Sequence, residues 1–127
     1  MQMPVPKFIL LYVEDPLASA AFYERLLDIK PVDAAPTFVM FALDGGLMLG
    51  LWRRDGVMPG VGAPGAGPHG ELAFVAADAA AVDATHADWA RRGAAIAQAP
   101  ADMDFGRTFV AVDPDGHRLR VFAPGGP

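Results

Sequence analysis

The residues of this chain that could do chemistry are few and scattered. Cysteine is absent, which excludes disulfides, thiolate metal sites and cysteine nucleophiles together. The three histidines, His69, His86 and His117, fall in a glycine- and proline-rich stretch, on a predicted helix and in a predicted turn. Each reads as a solvated surface side chain, and no His-based dyad is visible. The carboxylate pairs Asp102/Asp104 and Asp113/Asp115 sit in predicted turns, where capping backbone N–H groups is their ordinary use. What remains is aromatic and thioether surface around a few charges: Phe8, Tyr12, Met48 and Trp52 in the first half, and Glu71, Arg120 and Phe122 in the second. Such a set suits a pocket for a flat organic molecule, although a second core or a subunit interface would use the same side chains.

Which of these residues share a surface depends on the elements that carry them. Phe8 to Val13 reads as a buried strand. Asp15 then offers an N-cap, with Pro16 at the first helical position. The helix that follows carries Ala20, Tyr23 and Leu27 at helical spacing, with Phe22 beside Tyr23, and Pro31 closes the region. Thr37 to Leu43 and Leu47 to Arg53 are apolar runs joined by Asp44-Gly45-Gly46, a hairpin signal. Arg54 to Gly70 is so dense in glycine and proline that no regular element is expected; it reads as a linker, with a flap over a cleft as the alternative.

The second half repeats the first. Glu71 to Ala77 is a predicted strand, Asp78 the next cap, and a helix runs through Val82, His86 and Trp89 to Gly93. Ala94 to Ala97 is a short strand, and Arg107 to Val112 and Arg118 to Phe122 form a hairpin across Asp113-Pro114-Asp115-Gly116. The caps lie 78 − 15 = 63 positions apart, and the closing strands 119 − 49 = 70 apart, aligning Leu49 with Leu119 and Leu51 with Val121. Residues 1–53 and 71–127 are therefore two modules of strand–helix–three-strand order, separated by 54–70. Strand alternation puts Leu119 and Val121, and Leu72 and Phe74, on the helix side. Phe8, Leu10, Tyr12, Met48, Gly50, Trp52, Glu71, Ala73, Val75, Arg118, Arg120 and Phe122 then share the other, concave side.

Bulk properties narrow the classes of function. A chain of 127 residues with 53% hydrophobic residues and a mean hydropathy of +0.26 can bury a core of its own. A net charge of −5 disfavours nucleic acid, since nothing would neutralise a phosphate backbone. No apolar run approaches the roughly 20 residues that cross a bilayer. Met1 to Lys7 lacks the cationic start and apolar stretch of a signal peptide, so a cytoplasmic location is expected.

The order of elements, with Val13-Glu14-Asp15, Phe22-Tyr23-Glu24-Arg25-Leu26-Leu27 and Asp113-Pro114-Asp115-Gly116-His117, resembles the vicinal oxygen chelate superfamily of glyoxalases, extradiol dioxygenases, and fosfomycin- and bleomycin-resistance proteins. The resemblance covers nearly the whole chain. It implies an α+β fold: two βαβββ modules whose curved mixed sheets surround a cleft, helices outside, usually in a homodimer. Enzymes of that superfamily hold a divalent metal with His and Glu residues from the first and fourth strands of each module. Carried onto this chain, the four slots are Phe8, Gly50, Glu71 and Arg120. Only Glu71 is a potential ligand, so neither a metal nor another cofactor is expected, and a Glu71–Arg120 ion pair is expected in the vacated position.

Within the superfamily, Leu11-Tyr12-Val13, Pro36 to Phe41, Leu51-Trp52 and Phe105-Gly106-Arg107-Thr108-Phe109 resemble the phenazine-antibiotic resistance type of binding protein. That type sequesters a planar aromatic drug without degrading it. By this resemblance Trp52 stacks on the ring system, and Phe38, Met40 and Phe105 line the cleft. Tyr12 and Met48 belong to the same concave side, and Arg120 is placed to meet an anionic ligand. Arg107 pairs with a ligand carboxylate or, alternatively, stabilises a turn. The competing functions are a bleomycin-type cationic-drug binder, to which the net charge is suited, a glyoxalase- or dioxygenase-like enzyme working without the usual ligands, and a structural or regulatory dimer.

Overall fold

The computed structural model describes residues 6–65, 67 and 69–125. Met1–Val5 of the segment read for a signal peptide, Ala66 and Pro68 of the predicted linker, and Gly126 and Pro127 lie outside the described residues. The chain divides into two compact units, Met1–Gly65 and Ala66–Pro127.

The first unit runs β1 (Phe8–Val13), α1 (Pro16–Leu27), β2 (Asp33–Ala35), β3 (Phe38–Ala42) and β4 (Met48–Arg53). Its sheet has the order β1-β4-β3-β2, with β1 and β4 parallel and the other pairs antiparallel. Helix α1 starts where Asp15 Oδ1 accepts the N–H groups of Leu17 and Ala18, at 3.1 and 3.2 Å. Those two donors would otherwise be orphaned at a helix N-terminus. The stripe that α1 buries is Pro16, Ser19, Ala20, Phe22, Tyr23 and Leu26. Leu26 replaces the expected Leu27, which is only half-buried; both fit a period of 3.6 residues. Facing this stripe, Val13, Val39, Phe41, Leu49 and Leu51 form the core of the first unit.

The second unit repeats the plan with β5 (Glu71–Val75), α2 (Ala79–Arg91), β6 (Ala95–Met103), β7 (Gly106–Val112) and β8 (Arg118–Pro124), in sheet order β5-β8-β7-β6. Asp78 Oδ1 caps α2 through the Ala81 N–H at 2.8 Å. The repeat extends to the register of the parallel pairs. Phe8 lies opposite Met48, and Glu71 opposite Arg118, which are the same positions after shifts of 63 and 70 residues. The result is an α+β chain of two four-stranded mixed sheets, each with a helix on one face.

Three details depart from the sequence reading. A short edge strand, β2, precedes β3; three residues are too few to show an alternation. Strand β6 is nine residues long where four were expected, because register shifts around Gln98 carry it past Pro100. An edge strand with bulges tolerates that proline. Asp102 therefore lies in a strand and not in a turn. The first part of the predicted linker is also structured. Arg54–Gly56 form a 3-10 turn, Val57 is buried, and the Arg54 guanidinium donates to the Gly62 and Ala63 carbonyls at 3.0 and 3.2 Å.

Candidate functional site

In the first unit, β1 alternates between a helix-facing row, Ile9, Leu11 and Val13, and an open row, Phe8, Leu10 and Tyr12. The open row is 52%, 43% and 37% exposed, which is unusual for three large apolar side chains in one row. Beside it on β4 stand Met48, Gly50 and Trp52, and on β3 Phe38 and Met40. Trp52 is half-buried, and its ring meets Tyr12 edge-on with centroids 6.3 Å apart and Phe38 with centroids 6.4 Å apart. Gly50 makes this close packing possible. A Cβ there would lie 2.7 Å from Leu10 Cδ2 and 2.8 Å from Phe38 Cζ. Hydrocarbon from two neighbouring strands thus covers the position at which the superfamily resemblance puts a metal ligand. Tyr12, Phe38, Met40, Met48 and Trp52, all expected at a site, lie together on this face.

In the second unit the open face is built around Arg120. Its Nε donates to Glu71 Oε1 at 2.8 Å, and its Nη1 to Thr108 Oγ1 at 3.2 Å and Gln98 Oε1 at 3.5 Å. The expected Glu71–Arg120 ion pair is present. Phe105, 43% exposed in the β6–β7 turn, lies 5.8 Å from the guanidinium carbon and meets Phe122 edge-on at 5.9 Å. The sequence marks Thr108 only as part of the Phe105–Phe109 run and gives no signal for Gln98. Thr108 alternates with Phe109 on β7, but Gln98 follows a register shift that periodicity cannot track.

The structure does not bring Arg107 to this face. Phe109, two residues along the same strand, packs on His86 and Trp89 of α2, so Arg107 points to the helix side. There its Nε donates to Asp83 Oδ1 at 2.9 Å and its Nη1 to Asp102 Oδ1 at 3.2 Å. These two carboxylates, Asp83 first, raise its already high pKa. The residue braces β7 to α2, which corrects its expected role as the partner of a ligand carboxylate. His86 is likewise not a solvated surface group: it is half-buried on the core stripe of α2, with its ring centroid 5.3 Å from that of Phe109. His117 Nδ1 lies 2.9 Å from the Asp113 carboxylate, which also accepts the N–H groups of Asp115 and His117 inside the β7–β8 turn.

The guanidinium beside Glu71 holds its carboxyl below the ordinary range, mainly through the hydrogen bond from Arg120 and against a smaller opposing effect of burial. A carboxyl whose pKa is depressed on folding stabilises the fold above its unfolded value, near 4.5, and loses that contribution as pH falls through the folded value. The Glu71 side chain is 31% exposed, so solvent screening keeps the effect below about 1 kcal/mol. Glu71→Gln is therefore expected to be slightly less stable than wild type at pH 7 in urea denaturation. The gap should close towards pH 3, and a gap that does not change with pH would show that the pair is not its source.

A depression beside the end of α1, lined by Ala21, Glu24, Arg25, Asp28, Ile29 and Lys30, holds the Lys30–Glu24 ion pair. None of its lining residues is aromatic, so a flat ligand would have nothing to stack on there. The open sheet faces are the better candidate site.

The sequence profile described as Glyoxalase/Bleomycin resistance protein/Dioxygenase superfamily matches residues 6–121. The chain belongs to this superfamily. The chain is similar to protein ATC0852 of Agrobacterium tumefaciens, solved by NMR in solution. The two share 50% identity over 98% of this chain and 100% of the other, with a TM-score of 0.86. It is 29% identical to phenazine antibiotic resistance protein EhpR of Enterobacter agglomerans, over 91% of this chain and 89% of that protein. A glyoxalase/bleomycin resistance protein/dioxygenase from Nocardioides, 24% identical over 99% of this chain and 88% of the other, shares the fold with a TM-score of 0.85.

The metal of the superfamily's enzymes does not fit the residues at the corresponding positions. Phe8 and Gly50 offer no donor, and Gly50 is covered by Leu10 and Phe38. Glu71 already binds Arg120, whose permanent cation would repel a second positive charge. Among the described residues no three His, Asp or Glu side chains gather in a way that could hold a metal ion.

Proposed function

We propose that this superfamily member is a non-catalytic binding protein that sequesters a planar aromatic small molecule, of the kind met in antibiotic resistance. The observation that carries this reading is the open face of the first unit. Aromatic and methionine side chains around Trp52 stand there, where members with a metal centre need hydrophilic ligands. Such surfaces bind flat ring systems by area burial and by offset or edge-on ring contacts. The likeness to a phenazine antibiotic resistance protein supports the same class of ligand. A cationic drug of the bleomycin kind is less suited to the second unit, whose open face carries Arg118 and Arg120. The reading includes a cytoplasmic homodimer, a form supported by the exposure of Phe8 and Leu10, which a second copy would cover. Among the described residues no helix is long and apolar enough to cross a membrane.

Tryptophan fluorescence tests the proposal directly, because the two tryptophans differ. Trp52 lies on the open face, whereas Trp89 is 5% exposed between Phe74 and Phe109. Titration with phenazine-1-carboxylate is expected to quench Trp52 and to spare Trp89, which remains as an internal reference in Trp52→Phe. Trp52→Ala should weaken binding by about 1–3 kcal/mol, the usual worth of an aromatic stacking partner. Unchanged affinity in Trp52→Ala would return Trp52 to a purely structural role. A stoichiometric divalent metal in the purified protein, found by elemental analysis, would count against a non-catalytic binder.

A further inference from the structure

We propose that the open face of the second unit is a recognition site for an aromatic carboxylate, with Arg120 as the group that receives the acid. This rests on the reading of the chain as a binder of planar aromatic molecules and adds the charge and orientation of the ligand.

Three observations converge on the site. The first is the unfinished hydrogen bonding of Arg120. Nε is taken by Glu71, and Nη1 by Thr108 and Gln98, so the guanidinium plane is held from two sides. Among the described residues Nη2 has no hydrogen-bond partner, although the side chain is only 19% exposed. A half-buried, oriented donor of this kind favours a charged oxygen acceptor. The second is local charge. The side chain of Arg118, on the same face of β8, has no hydrogen bond or ion pair among the described residues. Glu71, Arg118 and Arg120 together sum to −1 + 2 = +1, a positive patch on a chain with a net charge of −5. The third is the order along the strand. Arg118, Arg120 and Phe122 follow one another on one face at intervals of roughly 6.5–7 Å, and Phe105 lies against both Arg120 and Phe122. A flat ring placed against Phe105 therefore lies beside the Arg120 guanidinium, within reach of its hydrogen-bond donors. A ligand with a cationic amine there would meet like charge.

The test compares phenazine-1-carboxylate with phenazine-1-carboxamide, which keeps the ring and removes the charge, by isothermal titration at low salt. Wild type is expected to prefer the carboxylate by about tenfold or more. Glu71→Gln should keep or increase that preference, because it removes a competing carboxylate and leaves Arg120. The double variant Glu71→Gln/Arg120→Gln, which leaves no unpaired carboxylate behind, should reduce it to within about twofold. Arg120→Lys checks the result by a milder route: it keeps the charge, loses the fork, and should retain only part of the preference. Equal affinity of wild type for the two probes would overturn the carboxylate site and leave the aromatic-binder reading standing. Binding of neither probe would overturn both. Loss of the preference in Glu71→Gln alone, with the Arg120 cation still present, would show that Arg120 does not receive the acid and overturn its role.

Discussion

Gly106→Ala is expected to destabilise the second unit by about 3 kcal/mol or more, lowering its melting temperature by roughly 10 °C or more. Gly106 opens β7 with a φ of +133°, in a region that side chains with a Cβ rarely adopt. The space is closed as well. A Cβ would lie 2.0 Å from the Ala123 carbonyl oxygen and 3.1 Å from its carbon, both of them backbone atoms of β8. Backbone cannot step aside as a flexible side chain can, so β7 and β8 must part at the point where Gly106 pairs with Pro124. Phe105 immediately precedes this residue, so the variant should also lose affinity for aromatic ligands. Thermal and urea denaturation followed by circular dichroism provide the check. A loss of less than about 1 kcal/mol would mean that β7 and β8 do not approach closely at Gly106.

The second large effect is expected at Phe109. Its side chain is fully buried in the middle of β7, with ring centroids 5.3 Å from His86 and 5.5 Å from Trp89. Truncation to alanine should cost about 3–5 kcal/mol, from lost apolar burial and from the cavity left between sheet and helix. Phe109→Leu should cost less than about half of that, since most of the volume is kept. In a Trp52→Phe background the emission of Trp89 reports directly on the cavity, and Phe109→Ala should shift it to longer wavelength as water reaches the indole. An unshifted spectrum and an unchanged denaturation midpoint would remove Phe109 from the centre of the core. Phe109 belongs to the second unit and Trp52 to the first, so Trp52-dependent quenching should survive wherever the first unit remains folded.

Most of the architecture was legible in the amino-acid order because its signals are local. Asp15 and Asp78 cap their helices through the oxygen of a single side chain, two or three residues from the donors. Asp113-Pro114-Asp115-Gly116 closes on itself, with the Gly116 N–H donating to the Asp113 carbonyl at 3.0 Å. In β8, Leu119 and Val121 alternate with two arginines, so which face is buried follows from period two alone. Strand β7 gives no such contrast. Thr108 and Val110 on one face are as buried as Phe109 and Ala111 on the other, and the side taken by Arg107 is set by Asp83, 24 residues earlier in the chain. The same holds for His86, whose place on the core stripe depends on Phe109.

By itself, then, the sequence determined the doubled βαβββ order, the caps and turns, the superfamily, and the chemical character of each strand face. These follow from propensity, periodicity and short-range hydrogen bonding, which act over a few residues. Only the tertiary structure decided three things about the site: that Leu10 and Phe38 close over Gly50, that Arg107 braces a helix, and that Thr108 and Gln98 join the expected Glu71–Arg120 pair and leave Nη2 to spare. Each of these joins residues from different strands or from a strand and a helix. Their meeting depends on strand register and packing, which no local stretch of sequence encodes.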